Sequence, residues 1–215
     1  MAEWFKAPAW KACSRAIVSR VRIPSSPPSI CANCGVLMNI TFVPLVKSHF
    51  LLLIKWLQTA HVRLWWDQDI KWTPELIEKK YGDYVNGSKS VNKSHGEFKK
   101  PIYAYIIYID NVPIGYIQYY NLYDFPSESC PDLSELPKSC ASLDLYIGEV
   151  EFIGKNIGST ALSLFLEQYV FPRFDYIFVD PDITNLGAIR AYEKAGFRKA
   201  KEQGGIDELW MIREK

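Results

Sequence analysis

Val179-Asp180-Pro181-Asp182-Ile183-Thr184-Asn185-Leu186-Gly187-Ala188-Ile189-Arg190-Ala191-Tyr192-Glu193-Lys194-Ala195-Gly196-Phe197 is the stretch whose reading decides the fold. A β-rich run, Tyr176 to Asp180, stops at Pro181, which cannot donate to a ladder. Asn185 to Ala195 then reads as a helix, and Gly196 stands where a helix end calls for a left-handed residue. Upstream lies Ile153-Gly154-Lys155-Asn156-Ile157-Gly158-Ser159, a strand-to-helix turn. Small residues there let successive N–H groups face outward. With the N-terminus of the helix Ile157–Tyr169 they make an anion cradle suited to a pyrophosphate. Gly-rich turns of this kind are common, so the turn alone does not assign a ligand.

Outward from these two motifs the order is mixed α/β. Asn39–Pro44 reads as a strand, and Phe50–Leu57 as a helix by its apolar spacing, with Ser48 as its cap. His61 to Asp67 reads as a loop holding Trp65 and Trp66. Thr73-Pro74 supplies a cap and a first-turn proline for a helix to about Tyr84. Asn86 to Lys99 reads as a polar loop. Tyr103–Ile109 and Ile114–Tyr120 are strands joined by Asp110-Asn111-Val112-Pro113, a hairpin signal. Leu122–Ser142 is an acidic, Pro- and Ser-containing insertion expected on the surface. Leu143–Glu149 is a strand, and Phe197–Lys201 and Glu208–Arg213 close the chain as strands.

The 215 residues carry 25 Lys+Arg against 24 Asp+Glu and are 48% hydrophobic and 14% aromatic. This is globular composition with no general charge case for nucleic acid. Apolar runs such as Phe50 to Ile54 fall far short of the ~20 residues of a membrane span. Few cysteines favour a reducing, cytoplasmic setting over a disulfide framework. His49, His61 and His95 have no ligand or triad spacing, so no metal is expected.

Residues 1–37 stand apart, with five basic residues against Glu3 and three of the five cysteines. Three readings are open: a transit peptide, half a zinc site at Cys31-Ala32-Asn33-Cys34, or a segment that is not evolved protein. The third is favoured. Back-translated, Met1 to Pro8, Val21 to Pro24 and Pro27-Pro28 fit the start, T-loop and 3′ end of a bacterial serine tRNA gene. On that reading the working chain starts at Met38, and 38–215 is one domain.

The pattern N-x-x-A-x-x-x-Y-x-K-x-G-F from Asn185 to Phe197, paired with the turn at Gly154-Lys155 and Gly158, resembles the GCN5-related N-acetyltransferase (GNAT) superfamily. Trp65-Trp66, Pro113 to Gln118, Leu143-Asp144 and Val179-Asp180-Pro181 make the resemblance closest to aminoglycoside 6′-N-acetyltransferases. It covers Asn39 to the C-terminus. It implies an α/β (α+β) domain with a central mixed, mostly antiparallel sheet. That sheet is splayed between strands ending near Glu149 and Asp180 and flanked by helices. The implied activity is acetyl transfer from acetyl-CoA to a primary amine, with antibiotic resistance as a possible setting and a monomer or homodimer as the assembly. By the same resemblance, backbone amides of Lys155, Asn156, Ile157, Gly158 and Ser159 hold the pyrophosphate. Leu145, Tyr146 and Ile147 lend backbone groups to the pantetheine, and Asn185, Ala188 and Tyr192 line the thiol end. Trp66, Gln118, Tyr120, Asp144 and Asp180 face the acceptor. Two positions depart from the superfamily pattern. Ile153 stands for a Gln or Arg, and Asn156 for a Gly, although Asn tolerates left-handed φ.

Tyr192 is the candidate general acid for the thiolate, or else packs its helix on the sheet. Asp144 orients a cationic amine or takes its proton; its ordinary pKa of ~3.9 favours orientation. Asp180 binds a second amine or caps the next helix. Trp65 and Trp66, in extended chain, point opposite ways, one to the core and one to an acceptor. Asp67 and Asp69, with the acids of the insertion, suit a polycationic acceptor. Two other functions compete: an N-acyltransferase for a lysine-derived hydroxylamine or another small amine, and a CoA-binding domain without turnover.

Overall fold

The computed structural model describes residues 29–30, 37–93, 96–125, 133, 136–200 and 207–215. The readings of residues 1–28 and 31–36, and of the acids Glu128, Asp132 and Glu135, lie outside the described residues. In chain order, β1 (Ser29–Ile30) pairs with β2 (Leu37–Met38) as a small separate ladder. Then come β3 (Ile40–Pro44), α1 (Phe50–Leu57), α2 (Ala60–Arg63) and α3 (Pro74–Tyr81). A hairpin of β4 (Ser88–Lys93) and β5 (Gly96–Pro101) leads to β6 (Tyr103–Ile109), β7 (Val112–Asn121) and β8 (Cys140–Ile147). The last part is α4 (Ile157–Phe165), β9 (Tyr176–Val179), α5 (Leu186–Lys194), β10 (Arg198–Lys199) and β11 (Met211–Glu214).

Seven strands form the main sheet in the order β10-β11-β9-β8-β7-β6-β3. Every neighbour pair is antiparallel except β8 and β9. A tight turn opens the β6–β7 hairpin, with Asp110 at φ 47° and Asn111 at φ 68°. These two residue types accept the left-handed turn that matches strand twist. Alternation along β7 and β8 divides the interior in two. Ile117, Tyr119 and Leu143 pack with Phe165 of α4 and Ile189 of α5 on one face. Tyr116, Tyr120 and Tyr146 pack with Trp56 of α1 and Ile77 and Tyr81 of α3 on the other. Each such fully buried apolar side chain contributes roughly 1.5–3 kcal/mol.

One glycine fixes how α1 sits on the sheet. A Cβ on Gly148 would lie 2.1 Å from Cγ of Trp56, which is fully buried. The same indole donates from Nε1 to Glu149 Oε1 at 2.8 Å. Only a glycine lets the chain leave β8 past that ring.

Several boundaries differ from the sequence reading. Ser48 does not cap α1; it lies within a 3-10 turn, Lys47–His49, that runs into the helix. His61 to Asp67 is not all loop, because α2 covers its first part and the amides of Trp65 and Trp66 both donate to Val62 O. The helix after Thr73 ends at Tyr81, with Thr73 Oγ1 accepting from Leu76 N as expected. The polar stretch Asn86–Lys99 is largely the β4–β5 hairpin, whose register runs from Ser88↔Pro101 to Lys93↔Gly96. Its ladder is satisfied by backbone groups, so its polar side chains left no alternation to read. The strand expected at Leu143–Glu149 is Cys140–Ile147, so the insertion gives up its last residues to the sheet. Leu122, Phe125 and Leu136 of that insertion are buried rather than on the surface. The closing strands shorten to β10 and β11.

Candidate active site

The site begins with a failure of pairing. β8 and β9 hold register only through Cys140↔Tyr176, Ala141↔Ile177 and Ser142↔Phe178. β8 then continues from Leu143 to Ile147 with β7 alone. The β9-facing side of Leu145, Tyr146 and Ile147 is thereby freed from the ladder, and an extended ligand can complete it. The Ile147 carbonyl is partly engaged by His61 Nε2 at 3.0 Å.

At one mouth of this gap lies the turn before α4. Ile153, Gly154, Lys155 and Asn156 are exposed, and Gly154 has φ 75° and Asn156 φ 61°. Asn156 thus takes the left-handed conformation a glycine would hold. Its Oδ1 accepts from Lys194 Nζ of α5 at 2.5 Å, tying the two walls of the gap. The first amides of α4 have no intrahelical partner, and the helix dipole gives them positive character. Gly158 leaves room beside them, since a Cβ there meets only Ile147 Cγ1 at 3.8 Å.

The other end of the gap is acidic, aromatic and largely buried. Gln118 is fully buried opposite Asp144 in the β7–β8 register and donates to its Oδ2 at 2.7 Å. Burial pushes the Asp144 carboxyl above its ordinary value, against the opposing pull of the Gln118 hydrogen bond and the charges of Lys89 and Lys80. Asp180, just past β9, keeps an exposed surface while the surrounding protein desolvates its carboxyl. That desolvation, then the charges of Asp144 and Glu208, raise it to about 7. Tyr192 projects from α5 into the field of both carboxylates. Burial and those charges push its phenol well above the usual range, which keeps its proton in place. Tyr120 is buried beside Asp144, with its ring edge-on to Phe125 at 5.0 Å.

Asp144, Asp180, Tyr120, Gln118 and Tyr192 therefore converge from β7, β8, the end of β9 and α5. The structure gives Asn185 a second task. Its Oδ1 caps α5 by accepting from Ala188 N at 3.0 Å. Asp180 is not that cap. The two tryptophans part ways, but in a turn that follows α2 rather than in extended chain, and it is Trp66, expected to face the acceptor, that packs. Trp66 packs edge-on to Tyr146 at 5.0 Å and Tyr116 at 6.3 Å, while Trp65 stays 40% exposed. Asp67 faces inward and pairs with Lys80 at 2.6 Å, so it offers less to a cation than its sequence neighbours suggested.

Two lysines of the site were missed. Lys80 lies over the rings of Trp72 and Tyr81. Lys89, on β4, is 1% exposed among the rings of Phe125 (4.7 Å), Tyr120 and Tyr84. Neither sits in a motif, and only the three-dimensional hairpin brings Lys89 to Asp144. The buried polar atoms Trp72 Nε1, Tyr81 Oη and Tyr146 Oη have no protein partner among the described residues. Such atoms favour a ligand or water that hydrogen-bonds. Among the described residues, no His, Cys, Asp and Glu cluster of metal-holding kind occurs, and no helix is long and apolar enough to cross a membrane.

The chain that folds around this gap is matched by a family model. The model for the acetyltransferase (GNAT) domain covers residues 46–203. The chain belongs to the GNAT acetyltransferase family. The aminoglycoside N(6′)-acetyltransferase type 1 of Klebsiella pneumoniae is 27% identical over 164 residues, covering 75% of this chain and 75% of the relative. A Serratia marcescens protein of the same name matches equally. Among solved structures, the aminoglycoside acetyltransferase AAC(6′)-Ib in complex with coenzyme A and kanamycin superposes with a TM-score of 0.64 at 21% identity. It covers 82% of this GNAT chain and 95% of its own. A Bacillus halodurans protein superposes with a TM-score of 0.65 at 20% identity, over 87% and 90% of the two chains.

Proposed function

We propose that this GNAT domain transfers the acetyl group of acetyl-CoA to a primary amine of a small, polyhydroxylated, aminoglycoside-like acceptor. The observation that carries the reading is the β8–β9 gap, which leads from the exposed turn at Asn156 to Asp144, Asp180 and Tyr192. The residues present fit acetyl-CoA. Amides of Lys155 to Ser159 hold the pyrophosphate at the α4 N-terminus. The open edge of Leu145, Tyr146 and Ile147 receives the pantetheine, and Asn185, with Ala188, borders the thiol end.

Acetyl-CoA supplies an activated acyl carbonyl with a thiolate leaving group. Asp144 attracts and orients the acceptor ammonium, with Gln118 and Tyr120 beside it. The amine must shed a proton before its lone pair attacks. Asp180, titrating at about 7, is better matched to that proton near neutrality than an ordinary aspartate. As the new C–N bond forms and the C–S bond breaks, Tyr192 donates to the departing sulfur. Its high pKa keeps the proton on the phenol, so it stabilises the charge building on sulfur through a hydrogen bond, and the thiolate takes its proton from solvent. The Trp72, Tyr81 and Tyr146 polar atoms, without a partner among the described residues, leave hydrogen-bonding capacity beside Trp66 that a hydroxyl-rich acceptor or its water can use.

One observation favours a second reading. Lys80 and Lys89 place two cations around Asp144, which suits an amine that also carries an anionic group, such as a lysine-derived hydroxylamine. A thiol-release assay with acetyl-CoA separates the two. Release with kanamycin-class amines and not with lysine-derived hydroxylamines supports the first reading, and the reverse pattern supports the second. Acetyl-CoA that raises the melting temperature without release from any amine identifies a binding domain. If acetyl-CoA leaves the melting temperature unmoved, the reading of the turn fails.

A further inference from the structure

Behind Asp144 lies a hydrogen-bond relay that the reaction scheme does not yet use. Tyr116 and Gln118 share one face of β7, two residues apart, and both are fully buried. Tyr116 Oη donates to Gln118 Oε1 at 2.6 Å, and Gln118 Nε2 donates to Asp144 Oδ2 at 2.7 Å. We propose that Tyr116 is a positioning residue for the acceptor carboxylate: its hydroxyl holds the Gln118 amide in the one orientation that offers Asp144 an N–H donor.

The argument is one of donor and acceptor inventory. An ionised carboxylate only accepts, so Gln118 must turn its NH2 toward Asp144 and its carbonyl away. The carbonyl then needs a donor in a region closed to solvent, and the Tyr116 hydroxyl is that donor. Burial pushes the Tyr116 phenol far above its usual range, so it keeps its proton at every working pH. A flipped amide would set oxygen against oxygen and be tolerated only by a protonated Asp144. The relay therefore favours the ion, which the cationic acceptor needs. That last step rests on the function proposed above; the orientation itself does not.

Other groups act on Asp144 at the same time. Lys80 of α3 and Lys89 of β4 favour its charge, and Asp67, in the turn after α2, opposes it. Asp180 past β9 and the phenols of Tyr84, Tyr120 and Tyr192 lie within its field. Tyr116→Phe leaves all of these in place. The ring stays stacked on Tyr146 at 5.5 Å and edge-on to Tyr81 at 5.7 Å, so only the hydroxyl is lost.

The test is a carbon-detected NMR titration of Asp144 in the full chain, selectively labelled at aspartate and assigned with Asp144→Asn. In Tyr116→Phe the Asp144 midpoint should rise by about half a unit or more, as expected when a hydrogen bond to the charged form weakens. Gln118→Leu, which removes the donor itself, should move it further in the same direction and sets the upper bound on the effect. With a turned-over acceptor, kcat/KM for the amine should fall in Tyr116→Phe while acetyl-CoA affinity stays within about twofold. An unmoved midpoint in the folded variant overturns the proposal. A shifted midpoint in a chain that acetylates no amine would leave the relay standing and remove the function.

Discussion

From Ile153 to Tyr192 one wall of the cleft is made by a continuous run of chain: a turn, a helix, a short strand and a second helix. The acceptor end draws Lys80 from α3, Lys89 from β4, Gln118 from β7, Asp144 from β8 and Asp180 from the end of β9. On the function proposed above, the first region works mainly through backbone amides, which need only the right turn. The second works through side chains whose charges depend on one another across distant elements. The contrast teaches that the first partner is fixed by local geometry and the second by long-range assembly. Substitutions should therefore act cleanly on one or the other.

Asp144→Asn is the hardest test of that separation. It should lower kcat/KM for the amine by about a hundredfold or more, while acetyl-CoA affinity from calorimetry stays within about twofold. Loss of acetyl-CoA binding would show that the two regions are not separable at this residue. Tyr192→Phe probes the junction. It should lower kcat about tenfold or more with little change in acetyl-CoA affinity, and unchanged turnover would reduce Tyr192 to packing. On the backbone side, Asn156→Ala forces a left-handed conformation costing about 1 kcal/mol. It should weaken acetyl-CoA roughly fivefold, whereas Asn156→Gly should bind as the parent does. Equal loss in both variants would instead assign the effect to the bond from Lys194.

The next effect is smaller and depends on pH. Asp180 is raised from 3.8 to about 7 in the folded chain, so between those values the folded state binds more protons than the unfolded one. Stability from this group is present at low pH and declines as pH rises through that window. Asp180→Asn should gain melting temperature relative to the parent as pH goes from 5 to 8, on the order of a few degrees. A constant difference across that range would argue against the raised carboxyl. The smallest expected effect is none: a chain started at Met38 should melt and turn over like the full sequence, and loss of folding would give residues 1–37 a structural role.

Much of this was legible in residues that answer to local rules. Phe50–Leu57 is the helix its apolar spacing describes, the hairpin falls where it was expected although its turn is only Asp110-Asn111 and Val112-Pro113 join the strand, and Asn156 takes the left-handed conformation that Asn tolerates in place of glycine. Asp144 and Gln118 were marked as acceptor-facing, but their direct bond follows from cross-strand register. The β4–β5 hairpin was read as loop because Ser88 to Lys93 has no apolar alternation, and Lys89 went unseen with it. Asp67 looked like a free acid because its partner Lys80 lies on another element. What went unread in each case was a charge neutralised or brought in by distant chain.

The pairing Gln118↔Asp144 and its flanking rungs, Tyr116↔Tyr146 and Tyr120↔Ser142, put these six side chains on the same side of two adjacent strands. Because side chains there alternate with a period of two, a single-residue insertion in either strand would rotate that whole row into the apolar layer under α4 and α5. Divergence toward a new acceptor is thus confined to exchanging side chains at every second position or reshaping the connecting segments. Frame changes inside β7 or β8 are closed to it.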